Sequence, residues 1–193
     1  TIQVATPDGT DLTATFSPAL RWIPCTGLYT LPGQWGNLPE GEIFTCPADV
    51  NGTMVVHVLG DYFSEKYGVL EDPVTIDIRD GRAVGLHSKA QGLADELGAY
   101  LDSAENGRRA GEFAIGTNVG LTQLVGNLLQ DEKLPGLHIA FGNPYPRETG
   151  ADWASTVHVD VIATHCTIKI DGRTLMRDGQ FDHGLLNAST PTE

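Results

Sequence analysis

Apolar and polar positions alternate with a period of two over much of the chain, and Asp-Gly pairs at Asp8-Gly9, Asp80-Gly81, Asp171-Gly172 and Asp178-Gly179 punctuate the runs. Alternation sends successive side chains to opposite faces of a strand, and Asp-Gly supplies the positive φ that a tight hairpin turn demands. Hairpins are therefore predicted for Ile2–Ala5 with Asp11–Phe16, Val74–Ile78 with Ala83–Leu86, and Thr167–Ile170 with Thr174–Met176, with a further strand at Thr53–Leu59. Two segments read as helices: Lys89 to Ala104 after Ser88 as N-cap, and Asn118 to Gln130. Trp22–Asp49, rich in Gly and Pro, reads as a long irregular loop, and loops of that length are usually functional or disordered. The expected fold class is α+β: strand-rich, with several β-hairpins, mixed sheets and about two helices. It forms one domain over residues 1–186, followed by a loose tail at 187–193.

One alternating run differs in content. Val157-His158-Val159-Asp160-Val161 puts three valines on one face of a strand and an imidazole and a carboxylate on the other. Two metal-competent groups side by side on a stiff, β-branched strand make half of a metal site. Three other segments hold polar groups in apolar or glycine-rich settings: Gly41-Glu42-Ile43-Phe44, Gly111-Glu112-Phe113-Ala114-Ile115-Gly116 and Gly136-Leu137-His138-Ile139-Ala140. A buried carboxylate is costly unless a cation or hydrogen bonds compensate it. Singly, each signal is weak, because a histidine in an apolar strand is more often a satisfied core residue and a glutamate after glycine a solvated one. Together, Glu42, Glu112, His138, His158 and Asp160 supply the mixed oxygen and nitrogen shell of a hydrolytic two-metal site. His57, His87 and His183 read as cross-strand or surface residues, His165 as a neighbour of the metal strand, and Trp22, Trp35 and Trp153 as core packing.

Charge narrows the function class. A net charge of −13, from 25 acidic and 12 basic residues, disfavours a phosphate-backbone partner. No apolar run reaches membrane-spanning length and no signal peptide opens the chain. Cys25, Cys46 and Cys166 are odd in number and lack any Cys-x-x-Cys, which rules out a zinc ribbon and points to buried thiols in a reducing, cytoplasmic setting. The chain begins with Thr1, so a fragment or processed product is expected. There is no nucleophile elbow, P-loop or dinucleotide fingerprint.

Five motifs then occur in order: Asn37-Leu38-Pro39-Glu40-Gly41-Glu42-Ile43-Phe44-Thr45, Gly111-Glu112-Phe113-Ala114-Ile115-Gly116-Thr117-Asn118, Asp131-Glu132-Lys133, Gly136-Leu137-His138-Ile139-Ala140-Phe141-Gly142, and His158-Val159-Asp160. From Gly9-Thr10-Asp11-Leu12 through Asp178-Gly179, the chain resembles the leucyl aminopeptidase T family of two-metal exopeptidases, and its shorter relatives most of all. The resemblance implies metal ligands at Glu42, Glu112, His138, His158 and Asp160, two divalent ions (zinc, cobalt or manganese), and Tyr145 as a ligand or a group acting on the reacting carbonyl. It implies a metalloaminopeptidase acting on peptides or small amides, with Glu42 or Glu112 as general base and Tyr145 or Lys133 stabilising the oxyanion. It also implies a homodimer and an N-terminal domain to which nothing here corresponds. Cys46 departs from the small aliphatic residue more usual in the family.

Two other readings compete. His138, His158 and Asp160 alone compose a 2-His-1-carboxylate triad for ferrous iron, as a ring-cleaving dioxygenase of the 2,5-dihydroxypyridine type would use. An iron triad has no need of Glu42 and Glu112, which favours the hydrolase. The third reading is a catalytic piece inactive without a missing domain.

Overall fold

The computed structural model describes residues 1–182 and 184. Its strands, in chain order, are β1 (Ile2–Ala5), β2 (Asp11–Thr15), β3 (Ile23–Cys25), β4 (Glu42–Thr45), β5 (Asp49–Val56), β6 (Val58–Leu59), β7 (Val74–Arg79), β8 (Arg82–His87), β9 (Ala110–Gly116), β10 (Gly136–Gly142), β11 (His158–Ala163), β12 (Thr167–Ile170), β13 (Arg173–Arg177) and β14 (Gln180–Phe181). The helices are α1 (Tyr62–Tyr67), α2 (Leu93–Asp102), α3 (Leu128–Asp131) and α4 (Pro146–Thr149). One sheet has eight strands in the order β14-β13-β12-β1-β2-β5-β7-β8, the other six in the order β3-β4-β9-β10-β11-β6.

All three expected hairpins form, as β1–β2, β7–β8 and β12–β13. Asp80, Asp171 and Asp178 take positive φ at their turns, as Asp-Gly allows. The Thr53–Leu59 run divides at His57: β5 pairs in the large sheet and β6 against β11 in the smaller one. The two sheets share one core. Val4, Leu12, Val50, Met54 and Ile76 from the first meet Phe113, Ile139, Phe141, Val159 and Val161 from the second. Full burial of each such side chain contributes about 1.5–3 kcal/mol.

The fold class differs from the α+β expectation. Every pairing is antiparallel, so the sheets are not mixed, and the described residues carry four short helices of 4 to 10 residues: the protein is mostly β. The helix expected over 118–130 is replaced by a loop that ends in the single turn of α3. Asp131, fully buried, accepts the backbone N–H groups of Val125 (2.9 Å) and Gly126 (2.8 Å), so these donors serve a side chain instead of a helix ladder. The first helix starts later than expected, after Gly92 in the left-handed region, while Ser88 caps only a local turn at Ala90. Its Leu93, Leu97 and Leu101, spaced by four, face the core. The 22–49 segment is not one loop, because β3 and β4 extend the smaller sheet and the long irregular stretch is confined to the residues between them. His183 and the tail at 187–193 lie outside the described residues. No helix among the described residues is long and apolar enough to cross a membrane.

Candidate metal centre

The register of four adjacent strands assembles the site. Residues directly opposite in an antiparallel ladder share a face. Glu42 on β4 stands opposite Gly116, His138 on β10 opposite Ala114, and His158 on β11 opposite Gly142. Ala140 lies between Glu112 on β9 and Asp160 on β11, opposite both. All five expected ligands therefore project from one face, and each has a glycine or alanine across the ladder, so the face is open where they converge. The alternate residues Phe113, Ile115, Ile139, Phe141, Val159 and Val161 point into the core. At Gly142 (φ 108°) a Cβ would sit 2.1 Å from the Val157 carbonyl oxygen, so the close approach of the two strands there requires glycine.

Two triads share one residue. Glu42, Glu112 and His138 form a group whose potential ligand atoms lie within 4.8 Å of one another; Glu112, His158 and Asp160 form a second. Glu112 Oε1 is 3.5 Å from His138 Nε2, and its Oε2 is 3.8 Å from His158 Nε2, so one carboxylate faces both imidazoles. His158 Nδ1 lies 2.9 Å from the Asn143 carbonyl oxygen; as the donor there, it leaves Nε2 free to face Asp160 Oδ2 at 3.5 Å. Glu42 Oε2 and His138 Nε2 are 3.2 Å apart, both buried, and neither has a hydrogen-bond partner. Orphaned buried polar atoms are costly, and a shared cation is what satisfies a carboxylate oxygen and an imidazole nitrogen together.

Charge supports the same fit. Glu40, Glu42, Glu112, Glu132 and Asp160 gather here with side chains no more than 12% exposed, against the single ammonium of Lys133. With both imidazoles neutral, as metal ligands must be, the four surplus negative charges match two divalent cations. Burial pushes Glu112 up, and burial with the neighbouring Asp160 pushes Glu132 up to about 7. Burial works against charge on the imidazoles too, yet the surrounding carboxylates hold His138 well above its usual range, and Asp160 brings His158 to about 9.

The cluster opens into a cleft of about 720 Å³. Tyr145 stands on its wall in the left-handed region (φ 49°), with its ring 4.8 Å from that of His158 and 5.8 Å from that of Phe44. Burial, followed by the nearby Glu112 and Asp160, holds its hydroxyl protonated. Lys133, in the turn after α3, is 1% exposed and sits among Glu132, Glu42 and Glu40, unlike the solvated residue its polar neighbours suggest. Two acids escaped the sequence reading of the site: Glu132, grouped with His138 and Asp160, and Glu40, grouped with Cys25 and Glu42. Their only signal was membership of the motifs around Glu42 and Lys133. Trp35 is not core; it is 89% exposed and borders the cleft. His57, His87 and His165 pair with Asp8, Asp77 and Asp178 outside the cluster.

Carboxylates and imidazoles that converge on one face of the smaller antiparallel sheet, below a cleft, form a candidate site for divalent cations. The family description for thermophilic metalloproteases, M29, matches residues 1–181, and the chain belongs to that family. No curated protein sequence matches it. Among solved structures, wild-type AmpT from Thermus thermophilus superposes with a TM-score of 0.71 at 26% identity, covering 93% of this chain and 49% of that one. 2,5-Dihydroxypyridine dioxygenase from Pseudomonas putida KT2440 superposes with a TM-score of 0.74 at 20% identity, covering 94% and 54%, a likeness of fold alone. The chain thus spans about half the length of each.

Proposed function

We propose that this chain is the catalytic part of a two-cation aminopeptidase that releases N-terminal residues from peptides or small amides. The observation that carries this reading is the sharing of Glu112 between two ligand triads. Glu42 and His138 would hold one cation, His158 and Asp160 the other, and Glu112 both. Zinc, cobalt and manganese all suit this mixture of oxygen and nitrogen donors. When bound, such cations supply Lewis acidity toward the scissile carbonyl and bring the pKa of a water toward neutrality.

The protein's own groups do the rest. Tyr145, kept protonated on the cleft wall, is the donor for the carbonyl oxygen as charge develops on it. Glu132, grouped with His138 and Asp160 at the cluster, is placed to take a proton from the attacking water and return it to the departing amine, a role that the sequence reading gives to Glu42 or Glu112. Those two carboxylates are drawn instead toward the imidazoles. Phe44 and Tyr145 shield the cluster from bulk water.

The reading extends to a cytoplasmic setting without nucleic-acid or membrane partners, supported by the acidic composition and three free thiols, and, through the family resemblance alone, to a homodimer. The dioxygenase alternative would employ His138, His158 and Asp160 on one iron; it leaves Glu42 and Glu112, whose side chains are buried against the same imidazoles, outside the ligand set. Elemental analysis, paired with aminoacyl amide hydrolysis before and after chelation, tests the proposal. Two cations per chain with chelator-sensitive hydrolysis support it. One iron, with oxygen uptake on a hydroxypyridine, overturns it, and two cations without hydrolysis point to dependence on a further domain.

A further inference from the structure

We infer that Lys133 is a positioning residue for one of the two cation positions: it tethers one oxygen of Glu42 so that the other is presented to His138. The inference rests on the two-cation reading above. Lys133 Nζ lies 2.7 Å from Glu42 Oε1, and the opposite oxygen, Oε2, is the one left orphaned 3.2 Å from His138 Nε2. Its remaining contacts, to Glu132 Oε1 at 2.6 Å and Glu40 Oε2 at 3.5 Å, fix the ammonium in turn. An ammonium has three donors, and three carboxylates surround this one. The residue thereby ties the turn before β10 to both the start of β4 and the residue that leads into it. Among the described residues, Asp160 and His158 by contrast form no salt bridge or hydrogen bond with Lys133, whose charge reaches Asp160 only at longer range, and His158 is oriented by the Asn143 carbonyl.

Tethering and simple charge balance make opposite predictions. If Lys133 acted only as a positive charge, removing it would strengthen the attraction of the site for both cations. If it positions Glu42, removing it weakens one cation and spares the other. The test is calorimetric titration of manganese(II) into the chelator-treated chain, a hard ion that avoids the thiols. The wild type is expected to take up two ions. Lys133→Met is expected to weaken one binding step about 10- to 100-fold, the usual cost of losing a group that orients a ligand, and to leave the other unchanged. Lys133→Arg restores both steps, since the guanidinium can still reach Glu42. Should the Met variant fail to fold, Lys133→Gln, neutral and one atom shorter, carries the same measurement. Tightening of both steps, equal weakening of both or no change overturns the inference. A wild-type uptake of one ion overturns the two-cation reading separately; Lys133 is then judged on that single constant, where a loss of about tenfold or more in the Met variant supports the tether and none overturns it.

Discussion

Ala140 stands directly opposite Asp160 in the β10–β11 ladder, and its methyl group is all that the strand contributes to the space between Asp160 and Glu112. The gap is therefore a product of side-chain size at a fixed register, and filling it is a direct test. Ala140→Leu is expected to cost about 1–3 kcal/mol by overpacking, leaving a folded protein. Bound metal should fall below one ion per chain, measured by elemental analysis beside a thermal melt.

Glu112 is the residue that both triads need. Glu112→Gln removes a charge but keeps the shape, so the fold is expected to persist by circular dichroism. Aminoacyl amide hydrolysis should fall by at least about 100-fold, in line with the loss of an outer-shell partner or worse. Unchanged turnover would take this glutamate out of the mechanism.

Chelation should destabilise the whole domain, because the ligands come from four neighbouring strands and the surplus negative charges would face one another. A cation present at about 100 times its dissociation constant contributes about 2.7 kcal/mol. In a domain of this size each kcal/mol moves Tm by about 2–4 °C. Loss of both cations is then expected to lower Tm by roughly 10–20 °C in a scanning-calorimetry melt, with recovery on adding metal back.

A pH effect is expected far from the site. Burial tends to raise Asp8, but the Thr6 hydroxyl and His57 outweigh it and hold its carboxyl below the ordinary 3.8. A depressed carboxylate stabilises above its unfolded pKa, and that contribution is lost as pH falls through the lower folded value. The pair is partly exposed, so its worth is under about 1 kcal/mol. Urea melts of Asp8→Asn and the wild type should differ well above the ordinary carboxylate range and converge as the pH falls through the lowered folded value.

The hairpins were legible because Asp-Gly turns set the register locally, and His158 and Asp160 share a strand face by alternation alone; Glu42, Glu112 and His138, which the fold brings beside them, were picked out by the motifs that resemble the family. What escaped depended on contacts distant in sequence. The 118–130 segment carries apolar residues at helical spacing, but the carboxylate of Asp131 captures its backbone donors. Glu132 and Lys133 read as a polar turn because nothing local reveals that Glu40 and Glu42 lie against them. The absence of parallel strands was likewise hidden, since pairings such as β4 with β9 join segments some seventy residues apart.

The ligand positions descend from a single hydrogen-bonded ladder, β4-β9-β10-β11. Neighbouring strands there keep a spacing of about 4.8 Å, set by peptide geometry. Spacing of this kind behaves like the ruling on a grating: it changes little with warming until the lattice itself gives way. Heat should thus leave the arrangement of these side chains intact up to the point of collapse, with the proposed hydrolysis and the structure vanishing at the same temperature.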